Sequence, residues 1–257
     1  MGDGLEVSHG GAPDGAPVVF VHGAMDSGRA FLRTTELLPE TSWWFYDRRG
    51  YGRSAASQPV DFGGHVGDLV TVLDHVRSVD GTAPVLVGHS LGGAIALAAT
   101  DGRPDLVAAL VTYDAPLPWA PWWSMPIPVI EPWDPEGEAE RFLRLILGDE
   151  GWEALTPETQ ARKGREGLAW VTEIPSAQAW DRFTAGRIEV PALFATGTSA
   201  QSGQHRRAAD ELVAEAPHGR RILVQGAPHA AHLTHPEEIA RLVRVALSTI
   251  ADPVDGN

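Results

Sequence analysis

The sequence contains no cysteine, which excludes disulfides, thiolate metal sites and thiol catalysis. Positive charge is also scarce: 20 Lys and Arg stand against 34 Asp and Glu, and the net charge is −14. This balance disfavours nucleic acid and anionic membrane surfaces as partners. No apolar run reaches the roughly 18 residues of a membrane span, and the first residues do not resemble a signal peptide. We therefore expect a cytoplasmic monomer or homodimer with neither nucleic acid nor membrane as partner.

Apolar runs typical of buried strands alternate along the chain with helical patterns. The predicted strands are 5–7, 17–21, 43–46, 85–88, 108–113, 190–195 and 221–224. The predicted helices are 29–38, 66–76, 94–100, 136–147, 157–167, 176–184, 204–215 and 236–250. This alternation predicts an α/β fold with a mostly parallel, doubly wound sheet. The 257 residues suffice for one such domain and an insertion.

Residues 117–187 interrupt the alternation. Seven of the nine tryptophans lie between residues 119 and 180, and residues 116–135 hold seven prolines, which excludes a regular helix or a sheet interior there. Helical patterns follow this segment. We predict a core made of residues 1–116 and 188–257, with residues 117–187 inserted as a helical, tryptophan-rich lid.

The most informative stretch is an apolar run that ends in Gly88-His89-Ser90-Leu91-Gly92 and passes directly into an alanine-rich helical pattern. It predicts a strand, a very sharp turn and a helix, with Ser90 at the apex. Gly88 and Gly92 flank the serine because such a turn leaves no room for a Cβ atom. The alternative is a glycine-rich turn with an incidental serine.

A serine hydroxyl needs a neighbouring base to act as a nucleophile near neutral pH, and histidine suits this role. His229, His232 and His235 share the loop after the last predicted strand. We assign the base to His229 because it follows that strand closely. The His-x-x-His-x-x-His spacing also suits a metal, but no cluster of carboxylates accompanies it, and His232 is expected to be structural. We predict no metal and no cofactor.

Four motifs in this order make the chain resemble the α/β-hydrolase superfamily over essentially its whole length. They are a strand with a His-Gly loop at 18–23, an Asp-x-x-Gly-x-Gly-x-Ser loop at 47–54, the serine turn at 88–92 and a histidine segment at 226–229. The resemblance implies an α/β-hydrolase fold with the chain order serine, acid, histidine. It also implies acyl chemistry, because the epoxide hydrolases and haloalkane dehalogenases of this fold use aspartate as the nucleophile.

Members of the superfamily commonly carry the acid shortly after the strand that ends here at Gly197. In this chain Thr-Ser-Ala occupies residues 198–200, so no carboxylate is available there. Some subfamilies carry the acid one strand earlier, which places it at Asp114. The resemblance therefore implies a triad of Ser90, His229 and Asp114. A turn-forming aspartate before Ala-Pro is the alternative.

Two backbone N–H groups are expected to form the oxyanion hole. One belongs to Leu91, which begins a helix, and the other to Ala24 in the loop after the His-Gly pair. His22 is expected to organise that loop rather than act as a base. Asp47 and Arg48 are expected to brace the loop that follows their own strand.

The lid is predicted to cover the serine and to form an apolar, aromatic-lined pocket. The residues that we assign to substrate binding are Met25, Trp119, Trp122, Trp123, Met125 and Trp180. Packing between lid and core is the alternative for many of the tryptophans. A small charged substrate is disfavoured, because Lys and Arg are sparse in residues 115–140.

The sequence thus predicts a serine esterase or lactonase for a small apolar ester or lactone, with an aromatic substrate favoured. The early acid and the tryptophan-rich lid are similar to lactonases of the zearalenone-hydrolase type, although Asp114 stands where we expect glutamate and the serine turn differs. A macrolactone is the narrower substrate prediction. The alternatives are a cofactor-free acyltransferase, perhydrolase or C–C hydrolase, or a ligand receptor on a hydrolase scaffold.

Overall fold

The computed structural model describes residues 4–124, 130–199 and 203–251. Within these residues seven strands form one sheet in the order β1-β3-β2-β4-β5-β6-β7. The strands are β1 (Glu6–Gly11), β2 (Ala16–Val21), β3 (Thr41–Asp47), β4 (Val85–His89), β5 (Ala109–Tyr113), β6 (Ala192–Gly197) and β7 (Gly219–Val224). Edge strand β1 runs antiparallel to β3, and the other neighbours are parallel. The mostly parallel sheet predicted from the sequence is confirmed.

Helices cover both faces of the sheet, as the near-continuous apolar strands require. They are α1 (Leu32–Glu36), α2 (Phe62–Asp80), α3 (Leu91–Gly102), α4 (Pro135–Glu153), α5 (Pro157–Gln178), α6 (Gly203–Glu215), α7 (Ala231–Thr234) and α8 (Pro236–Ala251). Buried side chains of α2, α3 and α6 form the core on one face, and those of α8 form it on the other. No helix in the described ranges is long and apolar enough to cross a membrane.

The strand register brings the carboxyl ends of the central strands to one edge of the sheet. Val21 of β2 pairs with Gly88 of β4, and His89 of β4 pairs with Tyr113 of β5. Tyr113 in turn pairs with Ala195 of β6. Loops that leave these strands therefore start side by side, which is where sheets of this type bind ligands.

Strand β1 is longer than the predicted residues 5–7. It continues through Gly10 to Gly11 and pairs with β3 along its whole length. The sequence pattern misses this because glycine carries no strand signal. A Cβ atom at Gly10 would lie 2.5 Å from the Trp43 ring, so the glycine allows that ring to lie against the backbone.

The helices of the predicted insertion, residues 117–187, differ from the prediction. The predicted break at Gly167 and the separate helix at 176–184 are both wrong, because α5 runs unbroken from Pro157 to Gln178. Pro175 lies in the last turn of α5 and does not end the helix before it. The predicted end of the preceding helix near residue 147 coincides with a kink at Gly148, where φ is 75°.

Gly167 is a point of close approach between α4 and α5 rather than a helix end. A Cβ atom there would lie 1.9 Å from the carbonyl oxygen of Pro135, at the start of α4. Gly164 lies on the same helix, but a Cβ atom there would meet only the Glu136 side chain, at 3.5 Å. Only Gly167 is therefore required for the packing of the two helices.

Replacing Gly167 by alanine is expected to lower the free energy of unfolding by about 1–3 kcal/mol, because the added methyl group forces α4 and α5 apart. The matched change Gly164→Ala is expected to raise it by up to about 1 kcal/mol, since alanine favours the helix and the space is free. Urea unfolding followed by circular dichroism measures both values. Equal effects of the two substitutions would contradict the close packing at Gly167.

Candidate active site

Ser90 lies at the apex of the turn between β4 and α3. Its backbone has φ 52° and ψ −129°, a conformation that costs a non-glycine residue about 1–3 kcal/mol. Its neighbours show why the turn needs glycine. A Cβ atom at Gly88 would lie 2.6 Å from the Gly92 carbonyl oxygen, and one at Gly92 would lie 2.4 Å from that of Val21. This strained turn holds Ser90 at the carboxyl edge of the sheet.

His229 and Asp114 lie next to Ser90 in the order that proton transfer requires. The Nε2 atom of His229 is 3.1 Å from Ser90 Oγ, and its Nδ1 atom is 3.1 Å from Asp114 Oδ2. The Asp114 side chain is fully buried, whereas that of His229 is 24% exposed. The structure thus brings together the three residues that the sequence analysis assigned to a triad.

The backbone explains how an acid after β5 can reach the histidine. Asp114 has φ 46°, which turns its side chain at the end of the strand. Its Oδ1 accepts a hydrogen bond of 3.1 Å from the Gly197 N–H at the end of β6. The end of β6, where the resemblance would commonly place the acid, therefore donates a hydrogen bond to the carboxylate at Asp114.

The two predicted oxyanion donors belong to segments that lie next to the serine. Leu91 is the first residue of α3, and the first N–H groups of a helix have no acceptor within it. Ala24 follows Gly23, whose Cβ atom, if present, would lie 2.9 Å from Ser90 Cβ. The loop after β2 therefore lies directly against the serine and beside the first turn of α3.

Three further imidazoles surround the candidate triad. His89 donates from Nε2 to the His229 carbonyl oxygen at 2.8 Å, which fixes the backbone of the candidate base. His232 contacts Asp26 at 2.9 Å, as expected of a structural imidazole. His205, which the sequence analysis missed, packs on the His229 ring with 4.9 Å between centroids. His205 belongs to no motif, and only the fold brings the first turn of α6 to this place.

Burial keeps three imidazoles near the site neutral, those of His22, His89 and His205. Burial and the neighbouring His232 and His229 hold the pKa of His89 well below 6.5. Burial, with a smaller effect of His229, lowers the pKa of His205 to about 4. The pKa of His22 is lowered to about 4 by burial and by Arg48. All three are therefore uncharged near neutral pH in the folded chain.

These lowered pKa values predict a loss of stability in mild acid. As the pH falls from 6.5 towards 4, the unfolded chain binds protons at His22, His89 and His205, whereas the folded chain does not. The free energy of unfolding therefore falls. Between pH 6 and 5, the slope of the unfolding free energy against pH is expected to include about one proton from His205, and His205→Gln is expected to remove that contribution. Urea unfolding at each pH measures the slope, with His218→Gln at an exposed position as the control. Equal slopes for both variants would contradict a buried, neutral His205.

The histidines of the His-x-x-His-x-x-His segment face separate partners. His229 faces Ser90 and Asp114, His232 faces Asp26, and His235 contacts Thr234 Oγ1 at 2.8 Å. Two other groups have donor atoms within 4.8 Å of one another and have the residue types of a metal site. They are Asp26 with His89 and His232, and Asp114 with His205 and His229.

The residues assigned to substrate binding fall into different surroundings. Met25 is buried beside Ala24, and Trp123 packs edge-on against His205 at 5.2 Å, next to the candidate triad. Trp119 and Trp180 both pack on Phe62 of α2, at 5.9 and 5.2 Å, as the packing alternative expects.

The remaining two assignments have other outcomes. Trp122 donates from Nε1 to Glu211 at 2.8 Å and stacks under Arg207, so its polar edge is taken by α6. Met125 lies outside the described residues.

Comparisons with known proteins agree with this fold. The model of the alpha/beta hydrolase family matches residues 18–242. Esterase YbfF of Escherichia coli (strain K12) is 25% identical over 252 residues, covering 89% of this chain and 92% of YbfF. Lipase LipV of Mycobacterium tuberculosis is 39% identical over 111 residues, a match that spans 43% of this chain and 41% of LipV.

A solved structure of a candidate lipase from Acinetobacter baumannii superposes with a TM-score of 0.72 at 16% identity, covering 98% of this chain and 90% of that one. The family match and the relatives named lipase and esterase support a hydrolase enzyme. The chain belongs to the alpha/beta hydrolase family.

Proposed function

We propose that this chain hydrolyses carboxylic esters through a Ser90–His229–Asp114 triad and an acyl-enzyme. The observation that carries the proposal is the line of hydrogen-bonding atoms from Ser90 Oγ through His229 to Asp114, with 3.1 Å at each step. The relatives named lipase and esterase support the same chemistry.

In this proposal, each proton movement follows the line of hydrogen-bonding atoms. Asp114 accepts the Nδ1–H of His229, which leaves a lone pair on Nε2 directed at Ser90. As Ser90 Oγ attacks the ester carbonyl carbon, its proton passes to Nε2, and the imidazolium then protonates the leaving alcohol. Water, activated in turn by His229, releases the acid and restores the serine.

Backbone N–H groups stabilise the negative oxygen of each tetrahedral intermediate. We assign this role to Ala24 and Leu91, which flank Ser90. Leu91 also begins a helix, whose dipole favours negative charge at its first turn. A donor in such a site contributes about 3 kcal/mol to transition-state stabilisation.

Substrate selection is assigned to the insertion. We propose that residues 117–187 act as a lid and that Trp123, with Met25 from the core, contacts an apolar, aromatic acyl or alcohol group. Trp123 carries this assignment because it packs against His205 at the candidate triad. The buried Trp123 Nε1 lacks a hydrogen-bond partner among the described residues. Its N–H can therefore donate a hydrogen bond to a substrate oxygen. A lactone is the narrower substrate of this proposal.

A panel of p-nitrophenyl esters with short aliphatic, long aliphatic and aromatic acyl groups tests the activity, and macrolactones test the narrower substrate. A fluorophosphonate that reacts with activated serines is expected to label Ser90, as read by peptide mass spectrometry. Products analysed with and without an added alcohol separate hydrolysis from acyl transfer. Labelling of a serine other than Ser90, or no turnover with any ester or lactone, would refute the proposal.

A further inference from the structure

A buried ion cluster joins the insertion to the core. Glu173, on α5, accepts hydrogen bonds of 2.5 Å from the Arg48 guanidinium and from the Tyr51 hydroxyl. His65 Nε2, on α2, lies 3.0 Å from the same carboxylate. All four residues are buried, with no exposed surface. Arg48 was expected to brace its own loop, and its guanidinium does lie 4.7 Å from the centre of the Tyr51 ring in that loop. It also reaches a helix of the insertion.

Within this cluster the Arg48–Glu173 pair is ionised despite its burial. Burial alone raises the pKa of Glu173, but Arg48 and His65 outweigh it and bring the value down to about 2. Glu173 is therefore a carboxylate at every pH used for an assay. A buried ion pair contributes little stability compared with apolar residues of similar volume, so stability alone does not account for this one.

The other side of the Arg48 guanidinium holds the loop that precedes Ala24. Its Nε donates to the His22 carbonyl oxygen at 3.1 Å, and its Nη2 donates to the Gly23 carbonyl oxygen at 2.9 Å. His22 adds a second donor to the Gly23 oxygen, from Nδ1 at 2.8 Å, while its Nε2 accepts the Arg48 N–H at 2.9 Å. The neutral His22 described above is the form that this pattern needs.

The peptide bond between Gly23 and Ala24 links these contacts to the predicted oxyanion hole. The Gly23 carbonyl and the Ala24 N–H belong to one planar, trans peptide group and point in opposite directions. Fixing the carbonyl oxygen on Arg48 and His22 therefore fixes the direction of the Ala24 N–H. Gly23 itself lies against Ser90, so this direction is set at the site of the reaction.

We propose that Glu173 and Arg48 are positioning residues that aim the Ala24 N–H at the oxyanion. The insertion then contributes to catalysis through a buried carboxylate, in addition to any role as a lid. This inference rests on the proposed function. A donor that acts on the developing oxyanion stabilises the transition state and not the bound ester, so its misdirection lowers kcat and leaves KM unchanged.

Glu173→Gln in the full chain tests the inference. It retains the shape of the side chain and removes the charge that holds Arg48. We expect kcat for the best p-nitrophenyl ester to fall about 10- to 100-fold, a part of the loss caused by deleting an oxyanion donor, with KM within twofold. The inhibition constant of phenylboronic acid is expected to rise by a similar factor, because its serine adduct places a negative oxygen in the same hole.

Glu138→Gln is the matched control. Glu138 is another buried carboxylate of the insertion, on α4, and it contacts Arg141 and the Glu131 N–H. Its substitution is expected to leave kcat and the boronate constant within threefold of the wild type. Loss of kcat in both variants alike would overturn the inference, since it would reflect loosening of the insertion in general.

A double variant separates geometry from stability. Arg48→Met with Glu173→Gln leaves no uncompensated buried charge and is expected to keep a Tm close to that of the wild type, while kcat stays low. Wild-type kcat and boronate binding in this variant would overturn the inference, as would a Glu173→Gln change that acts on KM or on Tm alone. Absence of Ser90-dependent turnover in the wild type removes the proposed function and this inference with it.

Discussion

Replacement of Ser90 by alanine is expected to lower kcat/KM for ester hydrolysis by about 10⁴- to 10⁶-fold. Without the hydroxyl no acyl-enzyme forms, and only the oxyanion donors and substrate binding act on an attacking water. Alanine keeps the Cβ atom, so the strain of the positive φ at this position is unchanged and Tm should stay the same. Steady-state kinetics with a p-nitrophenyl ester and thermal unfolding measure the two effects.

A buried serine away from the site provides the control. Ser42, on β3, donates a hydrogen bond to Asp80 at 3.2 Å, and Ser42→Ala is expected to cost about 1 kcal/mol of stability without changing kcat/KM. If Ser90→Ala retained more than a few per cent of wild-type kcat/KM, another residue would be the nucleophile.

Asp114→Asn is expected to reduce kcat about 10⁴-fold with little change in KM. An amide can present its NH₂ group to His229 Nδ1, which favours the tautomer with the proton on Nε2 and leaves no lone pair to accept the proton of Ser90. The Gly197 N–H keeps its acceptor, since the amide oxygen replaces Oδ1. Single-turnover kinetics at pH 7 isolates the acylation step from product release.

Asp101→Asn is the comparison for Asp114→Asn. Asp101 is a largely buried carboxylate that forms two hydrogen bonds with Arg187, at 2.5 and 2.7 Å. It lies at the carboxyl end of α3, whereas Ser90 precedes the first residue of that helix. Its substitution should affect Tm and leave kcat unchanged. Wild-type kcat in Asp114→Asn would show that the acid lies elsewhere.

The sequence sufficed for the features that local signals encode. Apolar runs predicted the sheet, because strands buried on both faces leave a continuous hydrophobic trace. The glycines around Ser90 predicted the sharp turn, the position just after the last predicted strand indicated His229, and the resemblance to the superfamily implied Asp114. The catalytic roles of these residues stay predictions, which the substitutions above test.

Features that depend on contacts between distant segments were not predictable. Gly167 was interpreted as a helix end. Glycine is instead required there because the backbone of α4 lies against it, and that backbone comes close only after folding. The partner of Arg48 is Glu173, 125 residues away, and no local pattern encodes that pairing. A high tryptophan count does not reveal that Trp122 turns to α6 while Trp123 packs at the candidate triad.

The ladder between β4 and β5 has a consequence for heat inactivation. The Ser90 N–H donates to the Tyr113 carbonyl oxygen at 3.0 Å, so Ser90 and the neighbouring Asp114 are joined by the central hydrogen bonds of the sheet. His229 instead follows β7, an edge strand with several exposed residues, and side-chain contacts from His89 and Tyr113 hold its loop to the central strands. Edge segments open at lower free energy than core strands. Activity should therefore disappear some degrees below the unfolding midpoint, and substitutions that tether the loop after β7 should extend the working temperature without raising Tm.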